Sequence, residues 1–200
     1  MRDDSHGSTM VLVLGGLWLA GATAAAAFGY TQSLRPPAPQ AIVGALTLLS
    51  LVSVAVLPPV RRWARGVDLR VLVALHLTRL LAGAYFLVLY RRGELPYAFA
   101  VPGGVGDMLV ALLALGLLVG VTPDTPGGRR LYSAWNLVGL VDILFVVVTA
   151  TRVGIADPAA LQPLLELPLS LLPTWLVPLI IASHALIVWR LARTAGRAAR

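Results

Sequence analysis

Five ionisable side chains stand where this chain has almost nothing else polar: His76, Arg79, Asp107, Asp142 and His184. Each lies within an apolar run of about 20 residues, enough to cross a hydrocarbon layer of roughly 30 Å. A charge at bilayer depth costs roughly 2.5–3.5 kcal/mol even on the most lenient scale. Ionisable groups kept there face the protein interior, pair with one another, and often line a path for ions or protons. One arginine with two aspartates can pair and still leaves one negative charge over, which a proton held by either carboxyl would cancel. The residue types therefore point first to proton- or ion-linked transport. In that reading Arg79 is the fixed cation, Asp142 its partner and Asp107 the titrating gate. The plainer reading is a buried ion-pair network that only fixes how the helices pack.

The two histidines offer a second chemistry. One His from each of two helices at equal depth can take both axial positions of a haem, so His76 and His184 are candidate ligands for one b-type haem. Gly116 and Gly139 lie near that level and would make room for a porphyrin, and Asn136 shares the level too. A non-haem metal would want a third donor, and Asp142 lies roughly 6 Å higher along its helix by the rise per residue. A third feature precedes Asp107. Pro102, Gly103, Gly104 and Gly106 fit either of two readings, one being an unwound segment with free backbone groups, of the kind that holds substrates and ions in transporters. The simpler alternative is an external turn that starts the span late. Pro173 and Pro178 interrupt the last span in the same way.

Nothing else supplies a reaction. G-x-S-x-G, H-E-x-x-H and P-loop patterns are absent, so no enzyme class is selected. Ser133, Ser170 and Ser183 are not singled out as nucleophiles. Ser183 adjoins His184, but helix neighbours point away from each other. The absence of cysteine removes disulfides, thiolate metal sites and Cys nucleophiles at once.

The elements that must position these residues follow from composition. The chain has 200 residues, 58% hydrophobic and only 12% charged. Soluble domains run at about 45–50% apolar and about 25% charged, so lipid must be the solvent here. The runs predict six transmembrane helices, at about 10–30, 41–57, 71–90, 98–121, 131–151 and 169–191. The expected fold is an all-α polytopic membrane helix bundle forming one transmembrane domain over 1–200. The length of each run and the lack of β-type alternation exclude an outer-membrane barrel. The polar residues before Met10 are expected to fray. The first run begins like a secretory signal, with small residues at Ala22–Ala26, but Asp3 and Asp4 spoil a positive leader and the run continues to full span length. Gly21, Ala25 and Gly29 repeat at i+4, a small-residue stripe fit for a neighbouring helix or a larger complex. Asp157-Pro158 reads as an N-cap with proline at the first helical position, predicting a short interfacial helix before the last span with Leu161, Leu164 and Leu165 on one face.

Every basic residue behind the net charge of +7 is arginine, all but Arg79 near the ends of the runs, which the positive-inside rule explains without nucleic acid. One side collects Arg2, Arg61, Arg62, Arg65, Arg70, Arg129, Arg130, Arg190, Arg193, Arg197 and Arg200. The other collects Arg35, Arg91, Arg92 and Arg152. This bias predicts a cytoplasmic membrane protein with both termini cytoplasmic (N-in, C-in). Tyr30, Trp63, Tyr90, Tyr97, Tyr132 and Trp189 are expected as an interfacial aromatic belt. Threaded this way, Arg79 and Asp142 lie at the midplane with Asp107 slightly above. His76, His184 and Asn136 share a level on the cytoplasmic side. Tyr132, Trp135, Gly139, Asp142, Val146 and Thr149 fall on one helix face, which must point inward. Three functions remain open: a small transporter or proton-linked component, a bis-His haem protein, and a non-catalytic accessory subunit of a membrane complex. The partners expected are the bilayer and a second membrane protein or copy of the chain.

Overall fold

A computed structural model describes residues 2–198, with side chains over 7–193. Arg2, Arg197 and Arg200 of the arginine bias, and Asp3 and Asp4 of the leader reading, lie outside those side chains. The described elements are helical, with no strand among the described residues. In order they are α1 (Arg2–Ala27), α2 (Ala38–Val56), α3 (Pro58–Gly66), α4 (Leu69–Ala74), α5 (Thr78–Arg91), α6 (Tyr97–Gly120), α7 (Pro126–Ala156) and α8 (Val177–Ala198). A 3₁₀ turn, Leu75–Leu77, joins α4 to α5, a 3₁₀ helix spans Pro158–Leu165, and a π-helical turn, Leu172–Leu176, leads into α8. Six stretches are long and apolar enough to cross a membrane: Gly7–Ala27, Ala38–Val56, Leu69–Arg91, Tyr97–Gly120, Pro126–Ala156 and Leu172–Arg193. They point to a membrane protein associated with a lipid bilayer.

The chain divides into two compact units. The first contains residues 1–67 and 154–182. Helix α1 extends back through the polar residues before Met10. It ends in a Schellman motif: Tyr30 N–H bonds the Ala25 carbonyl and Gly29 N–H the Ala26 carbonyl. Gly29 takes φ +83°, which only glycine adopts without cost. It is therefore the helix stop, not part of a packing stripe. Gly21 faces open space, and Ala22 and Ala26 are the small residues that are buried.

Leu57 turns extended ahead of Pro58, closing α2, and Pro58-Pro59 then starts α3. The stretch between the spans expected at 41–57 and 71–90 thus holds a short amphipathic helix. Val60 and Ala64, one turn apart, are buried, and Arg62 and Arg65 are exposed. Asp157 caps the 3₁₀ helix by accepting from Ala159 N–H at 3.0 Å, and Leu161 and Leu165 are buried while Leu164 is half-buried. The wide π-helical turn leaves a carbonyl, that of Thr174, for the Trp18 indole at 2.8 Å, and Trp175 reaches the Gly15 carbonyl at 3.3 Å.

The second unit contains residues 68–153 and 183–200. Asp68 caps α4 by accepting from Arg70 N–H. Helix α5 closes on Gly93 with the same two Schellman bonds, Glu94 N–H to Leu89 and Gly93 N–H to Tyr90. Helices α5 and α6 pack backbone to backbone at Gly83 and Gly104. A Cβ added to Gly83 would run into the Gly104 carbonyl, and one added to Gly104 would lie 2.8 Å from the Gly83 carbonyl. Helix α6 passes unbroken through Pro102 and the glycines behind it. Neither the external turn nor the unwound segment forms there: the stretch is helix, and its glycines serve close packing. Tyr132, expected at an interface, is wholly buried, its hydroxyl donating to the Val121 carbonyl at 3.3 Å.

Candidate functional site

The predicted inward face of α7 is the buried one: Tyr132, Trp135, Gly139 and Val146 are buried there, joined by Asn136 and Ile143. Helical spacing places Asp142 beside this stripe, and its carboxyl is partly covered, 17% exposed. On α5, Arg79 is the second residue after the 3₁₀ turn, in the first turn of the helix. It is 1% exposed and all three of its nitrogens are engaged. Nε donates to Asp107 Oδ1 at 2.6 Å, one terminal nitrogen to Asp142 Oδ2, and the other to the Gly139 carbonyl at 3.1 Å. The guanidinium thus bridges α5, α6 and α7. A planar fork with five donors is the side chain suited to such a task, and a lysine would supply only a point charge.

Glycine makes this geometry fit. A Cβ added to Gly106 would overlap the Asp142 carboxyl. Gly103 lies against Val146, and Gly104 against Gly83 and Leu87. The three α6 glycines named in the sequence therefore border the site as contact surfaces. One arginine meets two carboxylates, so the cluster is neutral only when it holds one proton. Asp107 is 4% exposed, so Asp142 is the more open of the two carboxyls.

The histidines meet beside this cluster. His76 and His184 are both fully buried, their ring centroids 4.3 Å apart. Trp135 lies edge-on to His76 at 4.9 Å and donates its indole N–H to the Val110 carbonyl at 3.0 Å. Asn136 Nδ2 donates to the His184 carbonyl at 3.3 Å. Its Oδ1 then faces His184 Nδ1 at 2.8 Å, and because an amide oxygen only accepts, Nδ1 carries the proton. His76 Nε2 is 3.0 Å from Ser183 Oγ. That leaves His76 Nδ1 and His184 Nε2 buried without a hydrogen-bond partner. Gly139 is again the enabling residue: a Cβ there would lie 2.8 Å from His184 Cε1.

These residues do not fit a haem. The imidazoles touch one another, leaving no gap for a macrocycle, and His184 Nδ1 is fixed by Asn136. Gly116, expected to make room for a porphyrin, faces open space away from the pair. No group of three metal-ligating side chains occurs among the described residues.

The structure brings together every singled-out side chain: Arg79 with Asp107 and Asp142, and His76 with His184 and Asn136. Sequence reasoning placed Trp135 and Gly83 on inward faces without naming their contacts, and it missed Ser183 as a partner of His76 and the Gly139 carbonyl as a partner of Arg79. Ser183 was recoverable in part. If neighbours on α8 diverge, Ser183 must face a different partner from His184, and it faces His76. The Gly139 carbonyl carried no signal, since backbone acceptors inside helices are invisible to residue type.

Comparison with known proteins yields a family of unknown function. Residues 36–192 match the model of a domain of unknown function, DUF8737, so the chain belongs to that family. Neither a curated protein nor a solved structure matches the chain.

Proposed function

We propose that the protein is a small proton-linked membrane component, most simply a transporter, and that the Arg79–Asp107–Asp142 cluster is its proton-binding centre. The observation that carries this reading is the stoichiometry of the cluster, two carboxylates on one buried guanidinium. Three full charges would leave a net negative charge inside an apolar helix pack, which desolvation opposes. One proton resolves it, and the proton has two sites. It leaves Asp142 Oδ–H for the Asp107 carboxylate, or returns, while Arg79 stays charged and pairs with whichever carboxyl is ionised. Asp142, the more open group, exchanges with the outside, and Asp107 holds the inner position. The lone pairs of the two imidazoles supply further acceptors beside the cluster. The arginine bias favours a cytoplasmic membrane location with both termini cytoplasmic.

The test is proton flux in liposomes reconstituted with the purified chain, read by an entrapped pH-sensitive dye under an imposed potassium diffusion potential. The parent should carry protons, and Asp107→Asn and Asp142→Asn should each lower the flux at least about tenfold, a modest share of what general acid–base groups contribute elsewhere. Flux that persists unchanged in both folded variants would overturn the assignment. His184→Gln separates the imidazoles from the carboxylates: a partial loss supports their participation.

A further inference from the structure

A second site lies in the unit that holds α4 to α7, at the ends of its helices where the arginines gather. A cavity of about 340 Å³ opens between the start of α4, the loop joining α6 to α7, the start of α7 and the later part of α8. That volume is within the range of small-ligand sites, about 300–1,000 Å³. Arg70, Arg129 and Arg190 line it, one from each of three helices, together with Asp68 and Asp124. The three arginines are half-buried and the two aspartates are exposed, so the cations form the wall and the carboxylates the rim.

The charges are also positioned. Arg70 reaches back to the carbonyls of Leu118 and Val121, at the carbonyl-rich end of α6, and offsets the partial negative charge of that terminus. Arg129 is fixed by the Asp124 carbonyl at 3.2 Å. Each uses part of its five-donor fork in this way and keeps further N–H groups. Asp68 is already occupied as the cap of α4. The cavity is therefore a preformed, net-positive pocket whose donors come from three directions. A cation is disfavoured by three guanidiniums. A planar carboxylate is satisfied by a single fork, whereas a tetrahedral phosphate presents oxygens to several forks at once.

We propose that this cavity binds a phosphate ester group, held jointly by Arg70, Arg129 and Arg190. The group belongs either to a phospholipid head or to a soluble phosphate compound, since basic pockets at the ends of membrane helices take both. This site is independent of the buried carboxylate cluster.

The experiment uses the full chain in a mild detergent, with native mass spectrometry for bound lipid and thermal unfolding at fixed ionic strength. The probes are phosphatidic acid and inorganic phosphate, with phosphatidylcholine and chloride as controls. The parent should retain phosphatidic acid over phosphatidylcholine or be stabilised by phosphate over chloride. Retention of lipid that phosphate does not displace identifies a headgroup site, and displacement identifies a soluble ligand. Arg129→Gln combined with Arg190→Gln should weaken binding about a hundredfold, roughly tenfold for each charged hydrogen-bonding group removed. Arg193→Gln, whose guanidinium lies over Trp189, should leave it unchanged. Binding of neither probe above its control by the parent overturns the proposal, as does a folded double variant that binds as tightly as the parent. If the double variant does not fold, the competition on the parent decides.

Discussion

In the unit that holds α5 and α6, buried polar side chains also meet one another: Arg79 meets Asp107 and Asp142, His76 meets Ser183, and His184 meets Asn136. In the unit that holds α1 to α3, Trp18, Trp175 and Thr31 each donate to a backbone carbonyl, Thr31 to that of Leu165 at 2.7 Å. The two arrangements differ in what remains when one partner is lost. A carbonyl abandoned by an indole is a neutral group that loses one hydrogen bond. A carboxylate abandoned by Arg79 is a buried charge without a counter-ion. The side-chain cluster therefore makes its unit sensitive to single substitutions, and the carbonyl contacts leave the other tolerant. A cluster that costs this much to keep buried is also the better place to look for function.

The difference can be broken by substitution, most severely at Arg79. Arg79→Met should lower unfolding stability in detergent by about 3–5 kcal/mol, as when one partner of a buried pair is removed. Coupling Arg79→Met to Asp107→Asn and Asp142→Asn should restore a large part of the loss. If Arg79→Met is nearly neutral, the cluster is not the structural centre of its unit. Next is Gly83→Ala, which drives a Cβ into the Gly104 carbonyl. About 1–3 kcal/mol should be lost through overpacking, seen as a lower midpoint in thermal unfolding. In the other unit, Trp18→Phe removes one indole bond and should cost about 0.6 kcal/mol, the average for polar contacts inside membranes. Smallest, and opposite in sign, is Gly21→Ala. Its Cβ meets nothing within 4 Å, so helix propensity alone acts and should stabilise by roughly 0.5–1 kcal/mol. A destabilised Gly21→Ala would mean that this face of α1 is packed, and would erase the contrast with Gly83.

The meeting of Arg79 with Asp142 was legible because two simple quantities sufficed. Rise per residue placed both at one depth, and the 3-4 spacing on α7 placed Asp142 beside Gly139 and Trp135 on the inward side. Asp107 needed only its depth. The same arithmetic matched His76 with His184 but did not give their separation. Equal depth says nothing of ring separation, and only packing put the imidazoles in contact with no gap between them. The glycines behind Pro102 illustrate the opposite error. Their composition is that of a broken helix, yet a close partner helix gives the same composition. Gly83 on α5, the partner that decides between the two, shares a helix stripe with His76 and Arg79, but nothing in the sequence pairs it with Gly104.

The sequence by itself determined that the chain is helical, that six stretches can cross a membrane, and which few side chains lie at the wrong polarity for their surroundings. Those properties are local, set by period, length and the cost of burying charge. Only the tertiary structure decided that Arg79 spends all three nitrogens on α6 and α7, that Ser183 faces His76, that α3 is an amphipathic helix, and that three arginines from separate helices share one cavity. These depend on how each helix is rotated about its axis and how closely it approaches its neighbours. Backbone contacts at glycine set both, and a single chain's residue types do not record them.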